Sequence, residues 1–151
     1  MAHGKISWPL RFPVLAAAIT LLAISGAPAG IRAFSAPAKP HRVIATYFHT
    51  NTRCSTCEKI EAYSREAIEQ GFKKELRNGT LELRVINYEK PQNRHYVKKY
   101  QLVTKSLILA KEVDGEQTEW TNLKLVWQLA KNREAFLNYV RGEIRKYLPE
   151  G

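Results

Sequence analysis

The two cysteines of the chain, Cys54 and Cys57, lie three positions apart where a strand-like run gives way to a helix-like run. Before them, RVIATYF (42–48) is apolar, β-branched and aromatic, which is typical of a buried strand. After them, apolar residues recur at helical spacing over 60–76, and the Asn-Gly pair at 78–79 predicts the end of a helix. The fold must therefore place a strand directly before a long helix, with the C-x-x-C pair at their junction.

The rest of the chain alternates between strand and helix periodicities. An Asp114-Gly115 pair between two strand-like runs predicts an antiparallel hairpin. The resulting order is β-α-β-α-β-β-α, which predicts an α/β fold. The further predicted elements are a strand at 81–88, a short helix from about 91 to 100, strands at 106–110 and 117–121, and helical segments at 123–130 and 136–148.

The first residues are typical of an export or anchoring signal. Lys5 and Arg11 precede the apolar stretch PVLAAAITLLAI, which ends before the roughly 20 residues that a membrane-spanning helix needs. Cleavage near Gly30 is therefore favoured over an uncleaved anchor. We predict an exported protein that is periplasmic or membrane-anchored facing the periplasm, where oxidising conditions allow a disulfide. The predicted organisation is a signal peptide or membrane anchor at 1–29, a linker at 30–41 and one folded domain at 42–151.

Charge and motifs argue against two classes of function. The net charge is +10, and three basic residues fall within 1–36, so the remainder carries 21 basic and 14 acidic residues, spread along the chain. No RNP-like or helix-turn-helix pattern appears, and we predict no nucleic-acid partner. No G-x-G-x-x-G follows a strand, so we predict no flavin or nicotinamide cofactor.

The element order and the position of the C-x-x-C pair resemble the thioredoxin fold over roughly 42–148. More narrowly, YFHTNTRCSTCEKIE, NRHYVKKYQLVTKS and AFLNYVRGEIRKYL resemble a small bacterial thioredoxin-like family, the nitrophenyl compound nitroreductase subunit ArsF. The resemblance implies a central four-stranded mixed sheet flanked by helices, with Cys54 as nucleophile and Cys57 as resolving thiol. It also implies an accessory subunit that transfers electrons to a redox partner protein.

The chemistry of the pair supports thiol-disulfide exchange. At the first turn of a helix, free backbone N–H groups and the helix dipole stabilise a thiolate, so we expect the pKa of Cys54 to lie below the roughly 8.5 of a free cysteine. Arg53 adds positive charge beside it. A static disulfide closing so short a loop would add little stability. The alternative is a metal- or metalloid-binding or accessory module that uses the same cysteines.

Two positions depart from the thioredoxin pattern. Ser106 aligns with the proline that faces the disulfide in thioredoxins; compared with that proline, a serine supports exchange with protein substrates less well and leaves the thiols more open to ion capture. Thr46 and Tyr47 occupy the part of the first strand where thioredoxins keep a buried acid, so a different base is needed. His49 is the nearest candidate for a base or a ligand, although a backbone hydrogen bond is its ordinary role.

The metal-binding alternative needs more ligands than the cysteines supply. Structural zinc normally takes four protein ligands. Cys54 and Cys57 would have to recruit His49 and one distant residue, either His95 or His41. A three-thiolate arsenic(III) site cannot form within one chain that has two cysteines. We therefore assign no metal ligands, and the candidate site consists of the two cysteines with His49, Arg53 and Ser106 as auxiliary residues.

We predict that the exported protein has lost its leader. Its intact mass should correspond to a chain that begins near Gly30, because small residues that suit a signal peptidase follow the short apolar stretch. Mass spectrometry of protein recovered from the exporting cell tests this. A mass that retains Met1 would show an uncleaved anchor instead.

Overall fold

The computed structural model describes residues 41–149, and its central element is the first strand, β1 (His41–His49). β1 pairs in parallel with β2 (Leu81–Asn87) on one side and antiparallel with β3 (Ser106–Val113) on the other. β4 (Glu116–Asn122) pairs antiparallel with β3, which gives the order β2-β1-β3-β4. The chain therefore has the predicted thioredoxin-like α/β fold with a four-stranded mixed sheet. The predicted leader lies outside the described residues, as does the linker except for its last residue.

Helices pack on both faces of this sheet, as predicted. In β1, Val43, Ala45 and Tyr47 point into the larger core, which α1 and α5 cover, while Phe48 points into a smaller cluster beneath α3. None of the helices in the described part of the chain is long and apolar enough to span a membrane. The helices are α1 (Ser55–Gly71), α2 (Lys73–Asn78), α3 (His95–Lys99), α4 (Val126–Leu129) and α5 (Arg133–Tyr147), with a 3-10 turn at Pro91–Asn93.

The single helix predicted over 60–76 is wrong, because the helix breaks at Phe72. Phe72 leaves the helical conformation, with φ −138° and ψ 43°, and buries its ring in the core. Arg141 of α5 packs against Gly71, where a Cβ atom would lie 3.0 Å from the guanidinium Nε. The same Nε donates a hydrogen bond of 3.2 Å to the carbonyl of Ala67. A contact from the last helix therefore accompanies the end of α1.

The predicted hairpin is confirmed. Asp114 and Gly115 both adopt positive φ, at 57° and 81°, which is the left-handed conformation that a tight two-residue hairpin requires. The flanking strands are longer than predicted, and β3 continues to Val113. Its inner half, 106–110, is buried, whereas the added residues are half-buried and pair with β4.

Paired charges lie on the α3 face of the sheet, at the end where β1 begins. Arg42 contacts Glu82 at 3.1 Å and Glu112 at 2.8 Å, and Arg84 contacts Glu82 at 2.6 Å. The hydrogen bond from Arg84 holds the pKa of the Glu82 carboxyl below its usual value. Because strand residues alternate between faces, these side chains share their face with Ile44. The charges neutralise one another across three neighbouring strands.

The contact between α1 and α5 predicts a sensitive position in the core. The ring of Phe136 is fully buried and lies 5.5 Å from that of Tyr63. Replacing Phe136 by Ala should lower the free energy of unfolding by about 3–5 kcal/mol, because a cavity remains. Urea denaturation measures the change. Val103→Ala is the control, since Val103 is 94% exposed and its loss should change stability by less than about 0.5 kcal/mol. Equal losses for both variants would contradict the assignment of this core.

Candidate active site at the start of helix α1

The two cysteines form a disulfide in which only one partner is accessible. Their Cα atoms lie 5.0 Å apart. Cys54 is exposed and forms the N-cap of α1, with extended backbone, while Cys57 lies in the first helical turn and is 0% exposed. The Cys54 Sγ accepts a hydrogen bond from the Cys57 N–H at 3.2 Å. A negative charge on Cys54 would therefore meet a backbone donor at the positive end of the helix dipole.

The loop before Cys54 is fixed to the segment that follows β2. The N–H of Asn51 donates a hydrogen bond of 2.7 Å to the Glu89 carboxylate. The side-chain carbonyl of Asn51 accepts another, also of 2.7 Å, from the side-chain amide of Asn87. The N–H of Tyr88 donates to the His49 carbonyl at 3.0 Å. Because β1 and β2 are parallel, both strands end at this edge of the sheet. The loop therefore presents Cys54 from a braced position.

Tyr47 of β1 is hydrogen-bonded to the backbone of the buried cysteine. It is 0% exposed, and its hydroxyl donates a hydrogen bond of 2.9 Å to the Cys57 carbonyl. Burial raises the pKa of Tyr47 to about 12, with a smaller lowering by the charge of Arg53 and a further increase from the charge of Glu61. Thr46 points to the opposite face, so Tyr47 is the residue of the pair that reaches the site. The sequence signal for this placement was the strand alternation of β1, which puts Tyr47 and Thr46 on opposite faces of the sheet.

Arg53 is not an isolated charge beside Cys54. Its guanidinium forms an ion pair with Glu61, whose other carboxylate oxygen lies 3.7 Å from Arg65. Sequence analysis missed Glu61. The signal available was its position four residues after Cys57, which places both on one face of α1.

The other auxiliary candidates occupy structural positions at the same edge of the sheet. His49 lies at the end of β1, and its Nδ1–H donates to the Thr50 carbonyl at 2.8 Å, which is the ordinary role considered for it. Ser106 begins β3 opposite Phe48 and is 4% exposed. Its hydroxyl donates to the Thr104 carbonyl at 2.9 Å. The chemical roles of both side chains at the disulfide stay predictions.

The distant histidines considered for metal binding do not converge on the cysteines. His41 begins β1, eight residues and therefore about 26 Å of extended strand before His49. His95 is exposed on α3 and its ring packs 4.0 Å from that of Tyr96. Within residues 41–149, no group of three or more His, Cys, Asp or Glu side chains is arranged to hold a metal ion.

Comparisons with known proteins give similarity at the level of solved structures. No protein-family model matches the chain, and no curated protein matches it. It is similar to a mutant thioredoxin from Halobacterium salinarum, with 18% identity, 72% of this chain and 77% of that chain covered, and a TM-score of 0.41. It is also similar to a thioredoxin from Thermus thermophilus, with 15% identity, coverage of 70% and 75%, and a TM-score of 0.42. The fold of the chain is defined by its own strand order.

The burial of Tyr47 predicts a late-titrating phenol. In an ultraviolet titration of the folded protein, Tyr47→Phe should remove a component with a midpoint at about pH 12. Because the pKa of the folded state is raised, the unfolded chain loses this proton first, near pH 10. The stability that the neutral phenol contributes is therefore present below pH 10 and is lost as the pH rises toward 12. A variant that keeps the same late component would contradict this placement of Tyr47.

Proposed function

We propose that the chain is a thiol-disulfide exchange protein in which Cys54 attacks and Cys57 resolves. The observation that supports this most directly is the asymmetry of the disulfide: an exposed sulfur at the helix N-cap is bonded to a buried sulfur one turn inside. An incoming or outgoing thiolate reaches only the exposed atom. The helix N-terminus favours negative charge on that same atom.

The exchange proceeds through a mixed disulfide. A partner thiolate attacks the Cys54 sulfur, the Cys54–Cys57 bond breaks, and Cys57 leaves as a thiolate that takes a proton. A second partner thiolate then attacks the partner sulfur and releases Cys54, so the partner is oxidised to a disulfide and the chain is reduced by two electrons. The reverse sequence reduces a partner disulfide, with Cys57 attacking the Cys54 sulfur to release the partner dithiol.

The proposed setting follows from the sequence. An N-terminal signal or anchor would place the domain outside the cytoplasm, in the periplasm or on the membrane facing it, where both redox states of the pair are accessible. The resemblance to the nitroreductase subunit ArsF family supports a protein partner that receives electrons from the reduced pair. In that setting the chain is an accessory electron carrier, and the reduction of a nitro compound takes place on the partner.

Single replacements of the cysteines separate their roles. Cys57→Ser should leave a reactive Cys54 that accumulates mixed disulfides with partner proteins, because no thiol remains to resolve them. Cys54→Ser should trap none, since the remaining sulfur is buried. Nonreducing electrophoresis of the two variants, expressed with their leader, measures the adducts. Equal trapping by both variants would contradict the assignment.

The reduction potential of the pair distinguishes a functional disulfide from a structural one. A value between roughly −270 and −120 mV would support exchange, and a value below about −300 mV would indicate a structural bond. Insulin reduction and refolding of a scrambled protein test the activity itself. Inactivity in both assays, together with stoichiometric binding of a metal ion by the reduced chain, would instead support the metal-binding alternative.

A further inference from the structure

An ion pair connects Arg53, in the loop before Cys54, with Glu61, which lies one turn of α1 after Cys57. Arg53 directly precedes the exposed cysteine, and its guanidinium contacts one carboxylate oxygen of Glu61. The Glu61 side chain is 19% exposed and that of Arg53 is 31% exposed, so each side chain is partly shielded from water. Interactions between charges in such positions are screened less than those between fully exposed side chains.

The charges of the pair reach a side chain that is hydrogen-bonded to Cys57. The charges of Arg53 and Glu61 both act on the phenol of Tyr47, and that phenol donates its hydrogen bond to the Cys57 carbonyl. Glu61 also lies four residues after Cys57, and therefore on the same side of α1. The Glu61 carboxylate therefore lies beside the Arg53 guanidinium and on the side of α1 that carries Cys57.

We propose that Glu61 is a positioning residue that limits the reactivity of Cys54: it binds the Arg53 guanidinium and thereby weakens the stabilisation that this cation gives to a Cys54 thiolate. The inference rests on the proposed function for its biological meaning. Its physical content concerns the thiolate alone, which forms whether or not the chain exchanges disulfides with a partner.

The ion pair of Arg53 and Glu61 has further charged or titratable neighbours. From β1 there is the neutral phenol of Tyr47, and from α1 there is Arg65, which lies 3.7 Å from Glu61. Glu58 is in the first turn of α1 and is exposed. Arg65 also contacts Glu69 at 3.5 Å, so it remains paired when Glu61 is neutralised. The Arg53 guanidinium is then the charge that the loss of Glu61 releases.

The experiment measures alkylation of Cys54 by iodoacetamide as a function of pH. The background is Cys57→Ser, in which Cys54 is the only thiol of the chain. Adding Glu61→Gln should increase the alkylation rate below the thiol pKa by about two- to fivefold, because a half-exposed ion pair contributes an effect of that size. The pH profile should shift to lower pH, while the rate of the fully ionised thiolate should change little.

A matched control is available in the same helix. The side chain of Glu66 is 20% exposed and accepts a hydrogen bond of 2.9 Å from the Nε of Arg133. Glu66 lies nine residues after Cys57. Glu66→Gln should remove an ion pair whose carboxylate is about as exposed as that of Glu61, and it should leave the alkylation profile unchanged. A shift as large as that of Glu61→Gln would overturn the proposal, because the effect would then reflect helix stability.

A double-mutant cycle tests the route through Arg53. Arg53→Gln alone should slow alkylation near neutral pH, and adding Glu61→Gln to it should increase the rate much less than in the presence of Arg53. Equal effects with and without Arg53 would overturn the positioning role, as would an unchanged or higher-pH profile for Glu61→Gln. These failures are distinct from failure of the proposed function, which would appear as normal thiol profiles without exchange activity.

Discussion

The pairing of β1 on both of its edges is the constraint on which the candidate site depends. Hydrogen bonds to β2 and β3 and the burial of 43–48 fix the strand in two directions. The chain leaves β1 at His49 and enters α1 six residues later, so little freedom remains for the intervening loop. Its hydrogen bonds to Asn87 and Glu89 reduce that freedom further. The sheet thereby sets where the N-terminus of α1 begins and which cysteine meets solvent.

The chemical asymmetry of the pair follows from this placement. An N-cap residue lies outside the first helical turn, where its side chain meets free N–H groups and water, whereas a residue three positions later points back toward the sheet. Cys54 and Cys57 occupy these two environments. Tyr47 adds to the difference, because its buried hydroxyl donates a hydrogen bond to the Cys57 carbonyl. The exposed sulfur and the buried one are thus distinguished by backbone geometry before any side-chain charge is considered.

Local sequence patterns predicted the elements that depend on local interactions. The apolar, β-branched run of β1, the Asp114-Gly115 turn and the cysteines at the strand-to-helix junction each involve neighbouring residues, and the structure contains all three. The break at Phe72 was not predictable in this way, because Arg141, seventy residues away, packs against Gly71. Glu61 was missed for a related reason. Its partner Arg53 lies across the loop, so the pairing exists only after the helix has formed.

A negative charge at Cys54 is affected by the backbone of α1 and by nearby charged side chains. The overall charge of the chain therefore says little about this site. The sequence is strongly basic, yet Arg42, Arg84 and Arg53 are each paired with a carboxylate in the structure. In such a pair the carboxylate offsets part of the field of the cation that it contacts. The helix N-terminus at Cys54 is part of the backbone, and every sequence with this fold retains it. In the proposed role of Glu61, the reactivity of the Cys54 thiolate therefore has two contributions: a constant one from the N-terminus of α1, and an adjustable one from the balance between the Arg53 cation and the Glu61 carboxylate that binds it.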